Sequence, residues 1–541
     1  MYNLLNNINN MRTRTLFVSA LLGLGMMASC SNEELEGLEN GQNNQAETTY
    51  AQIAINVANS AATKAFGEDD KTGSTQDGTD LESNVSKVTV VLADPNSDLV
   101  QYVYNFSGDE VLAGSKAANF ATKPFEVPAG KYHVYVLANY GDNGLSATIA
   151  PGFDMKQEIS ISTASKLSTN NSFLMVNDGI ATESDFTGTA SDTEVDGDLK
   201  DKEGGQTLFK VAVNIERVVS KVTFAQTDTD FDIENTNGST TKLATATVNG
   251  VGIINTNKKM FLIREAKATN NKPNDVSSTW IYPEDPNYSK LESTALSDNF
   301  ANASVDGTNN TFQTTLSTAT FYCPENTMQA DAQLNGQTTG VVYKVTWTLN
   351  TEKGNNPYTE LAENGTDSYS QVFAAILKLE GKDSDINKDI FTANLAQDAT
   401  AGTFYAYNNL IFKNKKAAVL YQCIATATGD DLASAANTAF STNKSKTGDE
   451  LSKLGIKEYL GGVNYYPVWI KHNPNGSNMQ QGKFGVVRNH WYELTVTSIS
   501  NLGNDKPTFE NPEDPDDPAV ANIQVAAKIK PWTIVKQDVE L

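Results

Sequence analysis

Residues 519–541 read AVANIQVAAKIKPWTIVKQDVEL, and they follow NDKPTFENPEDPDDP at 504–518. In the tail, Ile523, Val525, Ala527 and Ile529 fall on one face of an extended chain, opposite Gln524, Ala526, Lys528 and Lys530. This period of two marks a strand with one buried face. Trp532, Ile534, Val535, Val539 and Leu541 follow Pro531. The preceding stretch is rich in Pro and Asp, a composition that makes a stiff, extended linker. A strand behind such a linker has two readings. Either it returns as the last edge strand of its own domain, or it reaches out to complete another subunit's sheet, where backbone pairing gives affinity and alternate side chains fill pockets.

The same patterning recurs upstream. Ile53, Ile55 and Val57 alternate with Ala54 and Asn56, and short β-branched or aromatic runs lie at 88–92, 132–137, 209–215, 218–224, 341–349 and 491–499. Loops rich in Asn, Asp, Gly, Ser and Thr separate them. Helical spacing is rare, with the best stretches at 369–379 and 431–440. Many strands joined by polar loops predict a mostly β chain of antiparallel sandwiches. The acidic, Gly-containing loop at 192–205 is the best boundary, dividing a first domain at 65–206 from a larger one at 207–503, with the linker at 504–518 and the tail strand at 519–541.

The 541 residues carry 65 acidic against 41 basic side chains, a net charge of −24. That field repels phosphate backbones, so nucleic acid is not an expected partner. Three histidines and three cysteines leave little material for a metal site. Cys323 and Cys423 are read either as a disulfide or as two buried thiols. The stretch from Asp228 starts like a calcium loop, but Ile233 and Ser239 stand where Gly and Glu are needed. No nucleophile elbow, phosphate loop or zinc-protease motif occurs. We expect no catalytic residues, no metal, no cofactor and no enzyme activity.

The N-terminus reads as an address. Residues 11–14 (MRTR) are basic, 16–27 (LFVSALLGLGMM) are apolar, and Ala28-Ser29-Cys30 follows. Twelve apolar residues are short for a membrane span and suit a signal sequence at 1–29. The small-small-Cys ending is similar to a bacterial lipobox, which makes Cys30 the lipidated (palmitate-bearing) residue, followed by a polar tether at 30–49.

Several stretches together resemble the Bacteroidales fimbrillins of the minor-fimbrium subunit family, which build type V pili. They are 462–469 (GVNYYPVW), 486–493 (VVRNHWYE), 498–503 (SISNLG), the acidic Pro linker and 530–535 (KPWTIV). Residues 213–222 (VNIERVVSKV) and 322–327 (YCPENT) are similar to two further fimbrillin motifs. The resemblance implies two transthyretin-like antiparallel β-sandwich domains with a flexible lipoprotein N-terminus and a C-terminal donor strand. It also implies a maturation cycle in which a surface trypsin-like protease removes the first strand (50–64, carrying Ile53, Ile55 and Val57) and a neighbour's tail refills the groove. The donor residues are then Ile523, Val525, Ile529, Trp532, Ile534 and Val539. The cut falls between Lys64 and Ala65, where the family commonly has Arg; no Arg occurs between Arg14 and Arg217.

The expected function is thus a shaft subunit of an adhesive cell-surface fimbria, held in the outer membrane by its lipid anchor while a precursor. Its expected partners are further copies of itself, accessory tip and anchor subunits, the protease, and a host or bacterial receptor. A monomeric surface glycan-binding lipoprotein is the alternative.

Overall fold

A computed structural model describes residues 48–57, 76–113, 119–141, 143–178, 181–187, 208–225, 228–234, 241–265, 282–301, 312–352, 357–392, 401–507, 511–517 and 522–533. Period-two stretches become strands because alternation lets one face bury while the backbone pairs sideways. The run at 88–92 lies within Lys87–Ala93, 132–137 within Lys131–Ala138, 341–349 within Gly340–Leu349 and 491–499 within His490–Ile499. The expected mostly β architecture of sandwich-like sheets is what the structure shows.

The first sheet has ten strands. Val100–Ser107, Lys87–Ala93, Lys131–Ala138, Met175–Asn177, Leu208–Arg217, Thr48–Val57, Asn119–Thr122 and Val111–Ala113 follow one another across it. Thr182–Asp185 and Phe125–Pro128 add to its two halves. Its inward residues, among them Val90, Val136, Met175 and Ile215, share one core. At Val218 the chain leaves this sheet, and Val219–Phe224 enters another.

The next two sheets face each other as a sandwich. One runs Gln76–Asp77, Ile523–Thr533, His490–Ile499, Val219–Phe224, Thr320–Pro324; the other runs Asp230–Glu234, Lys242–Ile254, Gly340–Leu349, Val463–Trp469. Val222, Tyr492 and Leu494 from the first meet Val341, Tyr343 and Tyr466 from the second in a common core.

Gly340–Leu349 and Val463–Trp469 are hydrogen-bonded neighbours (Thr346 opposite Val463), yet more than a hundred residues separate them in sequence. That insertion holds helices Ser368–Leu377, Lys415–Thr426 and Leu432–Asn443 and a small sheet, packed around a separate core of Phe373, Ile376, Leu420, Phe440 and Ile456. Asp367, Asn414 and Asp431 cap the three helices, each accepting a backbone N–H at 2.9–3.1 Å. The insertion closes at Gly462, whose φ of +76° and tight approach to the Trp347 carbonyl leave no room for a side chain. Cys423 is buried in this core and Cys323 in that of the sandwich, and both are free thiols. The disulfide reading is therefore set aside.

The helices pack in the insertion's own core, while Phe404, Ala406 and Tyr459 of the small sheet join the sandwich core, so damage among the helices should stay local. Phe373 is fully buried, and Phe373→Ala should cost about 3–5 kcal/mol. Hydrogen exchange should speed up in the three helices while Val341–Val345 keeps its protection; equal loss in both places would show that insertion and sandwich unfold together.

Candidate functional site

Two strands, Thr48–Val57 and Ile523–Thr533, occupy seats of very different quality. The leading strand lies inside the first sheet, paired on both edges. On one side it runs parallel to Leu208–Arg217, with Ile53 opposite Val211 and Ile55 opposite Val213. On the other it is antiparallel to Asn119–Thr122 and Phe125–Pro128. Ala51, Ile53 and Ile55 are 0% exposed and Val57 is buried beside them. Polar side chains sew the edges: Gln52 Nε2 donates to the Thr122 carbonyl at 3.0 Å, the Ile53 N–H to Thr122 Oγ1 at 3.1 Å and the Tyr50 hydroxyl to Glu126 at 2.7 Å.

The tail strand lies on the body of its own chain, at the edge of the sandwich. It is antiparallel to His490–Ile499, with Ile529 opposite Tyr492 and Val525 opposite Val496, and its far end pairs with Gln76–Asp77. Over 523–531 its outer edge meets no other strand among the described residues. Ile523, Val525 and Ala527 turn toward the sandwich core but are only partly buried. A cavity of about 850 Å³ adjoins them, bordered by Tyr465, Trp469, Phe484 and Leu494. The tail is thus held mainly by its backbone ladder, over space its side chains do not fill.

The described parts of the linker, 504–507 and 511–517, are docked rather than free. Asn504 and Tyr465 exchange backbone hydrogen bonds at 2.8 Å, and the Pro512 and Asp514 carbonyls accept from Gly336 (2.8 Å) and Asn335 (2.9 Å). Proline cannot donate, but its carbonyl still accepts, so a Pro-rich segment can lie along a body it meets edge-on. Asp517 takes both the Lys483 ammonium (2.8 Å) and the Met479 N–H (2.8 Å). Asp516 is 1% exposed; one carboxyl oxygen accepts from the Thr338 hydroxyl and the other has no partner. Burial holds its carboxyl well above the usual range, against the pull of Thr338 and with the push of neighbouring Asp517.

The motifs at 213–222, 322–327 and 486–493 converge on buried polar joints. Arg217 is fully buried and donates to the Glu82 carbonyl (2.9 Å), Ser83 Oγ (3.0 Å) and Asn489 Oδ1 (3.1 Å). Burial pushes the Glu82 carboxyl up, but hydrogen bonds from Lys221, Tyr322 and the Thr79 N–H bring it below its ordinary value. Arg488 joins Glu325 (3.2 Å) and the Leu262 and Phe261 carbonyls (both 2.8 Å), while Asn326 donates to the Gln337 carbonyl and Thr339 Oγ1 at 2.9 Å. Sequence reading marked these stretches but not their role. An Arg set within an apolar strand pattern is the signal that could have found it, since such a charge needs partners wherever it is buried.

Of the expected site residues, the structure puts Ile53, Ile55 and Val57 in the inner seat and Ile523, Val525, Ile529 and Trp532 on the edge strand. Cys30, Lys64, Ala65, Ile534 and Val539 lie outside the described residues, as does the whole signal and nearly all the tether. Among the described residues no helix is long and apolar enough to cross a membrane. Trp347 and Trp469 are buried, and Trp491 lies beneath the Lys221 ammonium, 3.8 Å from its ring.

Comparison with known proteins bears on the C-terminal part. Residues 457–538 match the family described as major fimbrial subunit protein type IV, fimbrillin, C-terminal. Over 80 residues the chain is 35% identical to the major fimbrium subunit FimA type-4 of Porphyromonas gingivalis, a match covering 14% of this chain and 19% of that protein. The chain thus spans about a fifth of the length of the curated relatives it matches. Among solved structures, a fimbrilin from P. gingivalis W83 is similar at 15% identity and a TM-score of 0.41, with 91% of this chain and 100% of that one covered. The tip fimbrial protein Mfa3 from P. gingivalis, with a C-terminal truncation, is similar at 11% identity and a TM-score of 0.31, with 90% and 100% covered. The likeness to fimbrillins at the level of sequence lies in the segment at 457–538.

Proposed function

We propose that this chain is the shaft subunit of an adhesive cell-surface fimbria, exported as an outer-membrane lipoprotein through Cys30 and polymerised by strand exchange after cleavage between Lys64 and Ala65. The leading strand then departs, and the tail of a neighbouring copy takes its place. The two sandwich domains part near the passage from Arg217 to Val219, about a dozen residues beyond the loop at 192–205. No enzymatic step is assigned. The protease, accessory tip and anchor subunits and an adhesion receptor complete the partner set.

One observation carries this reading: the contrast between the two seats. Ile53 and Ile55 are wholly buried, with both strand edges paired, whereas Ile523 and Val525 are half-buried beside a cavity with one edge open. Burying a Val or Ile side chain contributes about 1.5–3 kcal/mol. Moving the tail into a vacated inner seat therefore gains apolar burial and satisfies two open sheet edges, whose unpaired N–H and C=O groups are costly, against the single ladder it gives up on His490–Ile499. While the leading strand is present, that seat is blocked.

Cutting purified precursor at Lys64 should convert monomers into ladders that survive mild SDS, while uncut Lys64→Gln precursor stays monomeric. Monomers that persist after verified cleavage at Lys64 would contradict the reading.

Donation also requires the linker to undock. Asp516 binds its proton more tightly when docked than when free, so docking is favoured at low pH and weakens as pH rises from the ordinary Asp range through the raised value. Protection factors of the Asn335, Gly336 and Asp516 amides should fall with rising pH, by up to about tenfold per pH unit. Asp516→Asn should remove that dependence. An unchanged pH profile in the variant would show that another group controls docking.

A further inference from the structure

The inner seat and the tail carry nearly the same message. Residues 50–57 read YAQIAINV and residues 520–527 read VANIQVAA. At an offset of 470 (523 − 53), Ile523 falls on Ile53, Val525 on Ile55 and Ala527 on Val57, with Asn522 on Gln52 and, in the sequence before them, Ala521 on Ala51. We propose that in the joined state, which rests on the exchange reading above, the tail of one copy enters the next at this register: Ile523, Val525 and Ala527 take the positions of Ile53, Ile55 and Val57, running parallel to Leu208–Arg217.

Volume and polarity select this register. The Ile53 position is filled unchanged, the Ile55 position loses one methylene and the Val57 position two methyl groups, all reductions, so nothing is overpacked. Moving the tail forward by two residues puts Ala521 on the fully buried Ile53 and leaves a void. Moving it back by two puts Ile523 on Ala51, which is 0% exposed and has no room for it, and Ala527 on Ile55. A slip of one residue turns Gln524 or Lys528 onto the buried face. Asn522 keeps an amide where Gln52 donates to the Thr122 carbonyl.

Reversing the strand conserves the apolar volumes almost as well, since Ala527, Val525 and Ile523 then fall on Ala51, Ile53 and Ile55. It also sets Lys528 on Tyr50, which is 6% exposed, and opposes the direction that both flanking edges already accept. In the parallel register Val520 takes the Tyr50 position, and Lys528, Lys530 and Pro531 lie beyond the end of the seat. Pro531 has no N–H to offer a ladder flanked on both sides. Trp532, Ile534 and Val539 are then not groove-filling residues.

Cysteine pairs test both register and direction. Ile55 lies opposite Val213 and Ile53 opposite Val211, within the Cα separation a disulfide spans. Copies of the full chain carrying Val525→Cys are mixed with copies carrying Val213→Cys or Val211→Cys, cut at Lys64 and oxidised. We expect a reducible two-subunit band with the Val213→Cys partner, at least tenfold above that with Val211→Cys. The opposite preference would put Val525 at the Ile53 position, by reversal or by a slip of two residues, and a ladder with neither cross-link would mean that another part of the tail fills the seat; either result overturns the register. A synthetic peptide of residues 518–530 with Cys in place of Val525 repeats the test against each cut acceptor, so a variant that assembles poorly does not decide it. If unaltered chains form no ladder at all, the exchange reading fails and takes the register with it.

Discussion

A strand in the interior of a sheet cannot leave without exposing two rows of backbone donors and acceptors. Thr48–Val57 is such a strand, bonded to Leu208–Arg217 on one edge and to Asn119–Thr122 and Phe125–Pro128 on the other. Much of the first core is built against it, because Ala51, Ile53, Ile55 and Val57 all point into that cluster. The unfavourable groups exposed by its loss are backbone groups, which any extended chain of suitable pattern can satisfy. The seat is demanding about shape and tolerant about whose chain supplies it.

The tail is built to the opposite specification. Its ladder with His490–Ile499 is long, yet its inward side chains adjoin an unfilled cavity, and over 523–531 its outer edge meets no other strand among the described residues. The docked linker adds hydrogen bonds that close a loop without adding a core. Asp516 is the weak point of that contact, since an unpaired carboxyl oxygen in a dry site is stable only while the group holds a proton. The Lys483–Asp517 pair beside it is largely buried, so its attraction is offset by the cost of taking both charges out of water.

Much of this was legible in the sequence, and the misses have physical causes. Period-two patterning located the strands because a half-buried sheet imposes it directly. The tail's alternation announced a strand but not its seat, because a pattern of faces says nothing about which edge the backbone will meet. Helix Lys415–Thr426 was missed because every residue from Ala417 to Ile424 is buried, so no polar stripe betrays the 3.6-residue period. The helices at Ser368–Leu377 and Leu432–Asn443 keep a wet face and were seen. The insertion's separate core was invisible for a further reason: which apolar side chains cluster together is decided by chain path. Likewise, Arg217, Glu325 and Arg488 stand out as motif residues, yet their partners lie 134 to 272 positions away in sequence for Arg217 and 163 to 227 for Arg488.

The central claim is that the leading strand holds a place later taken by another molecule's tail. N-terminal sequencing and peptide mapping of polymer stripped from the cell surface address it most directly. The expected result is subunits that begin at Ala65, with the peptide spanning Thr48–Val57 absent. Polymer whose subunits begin ahead of Thr48 and retain that strand would contradict it.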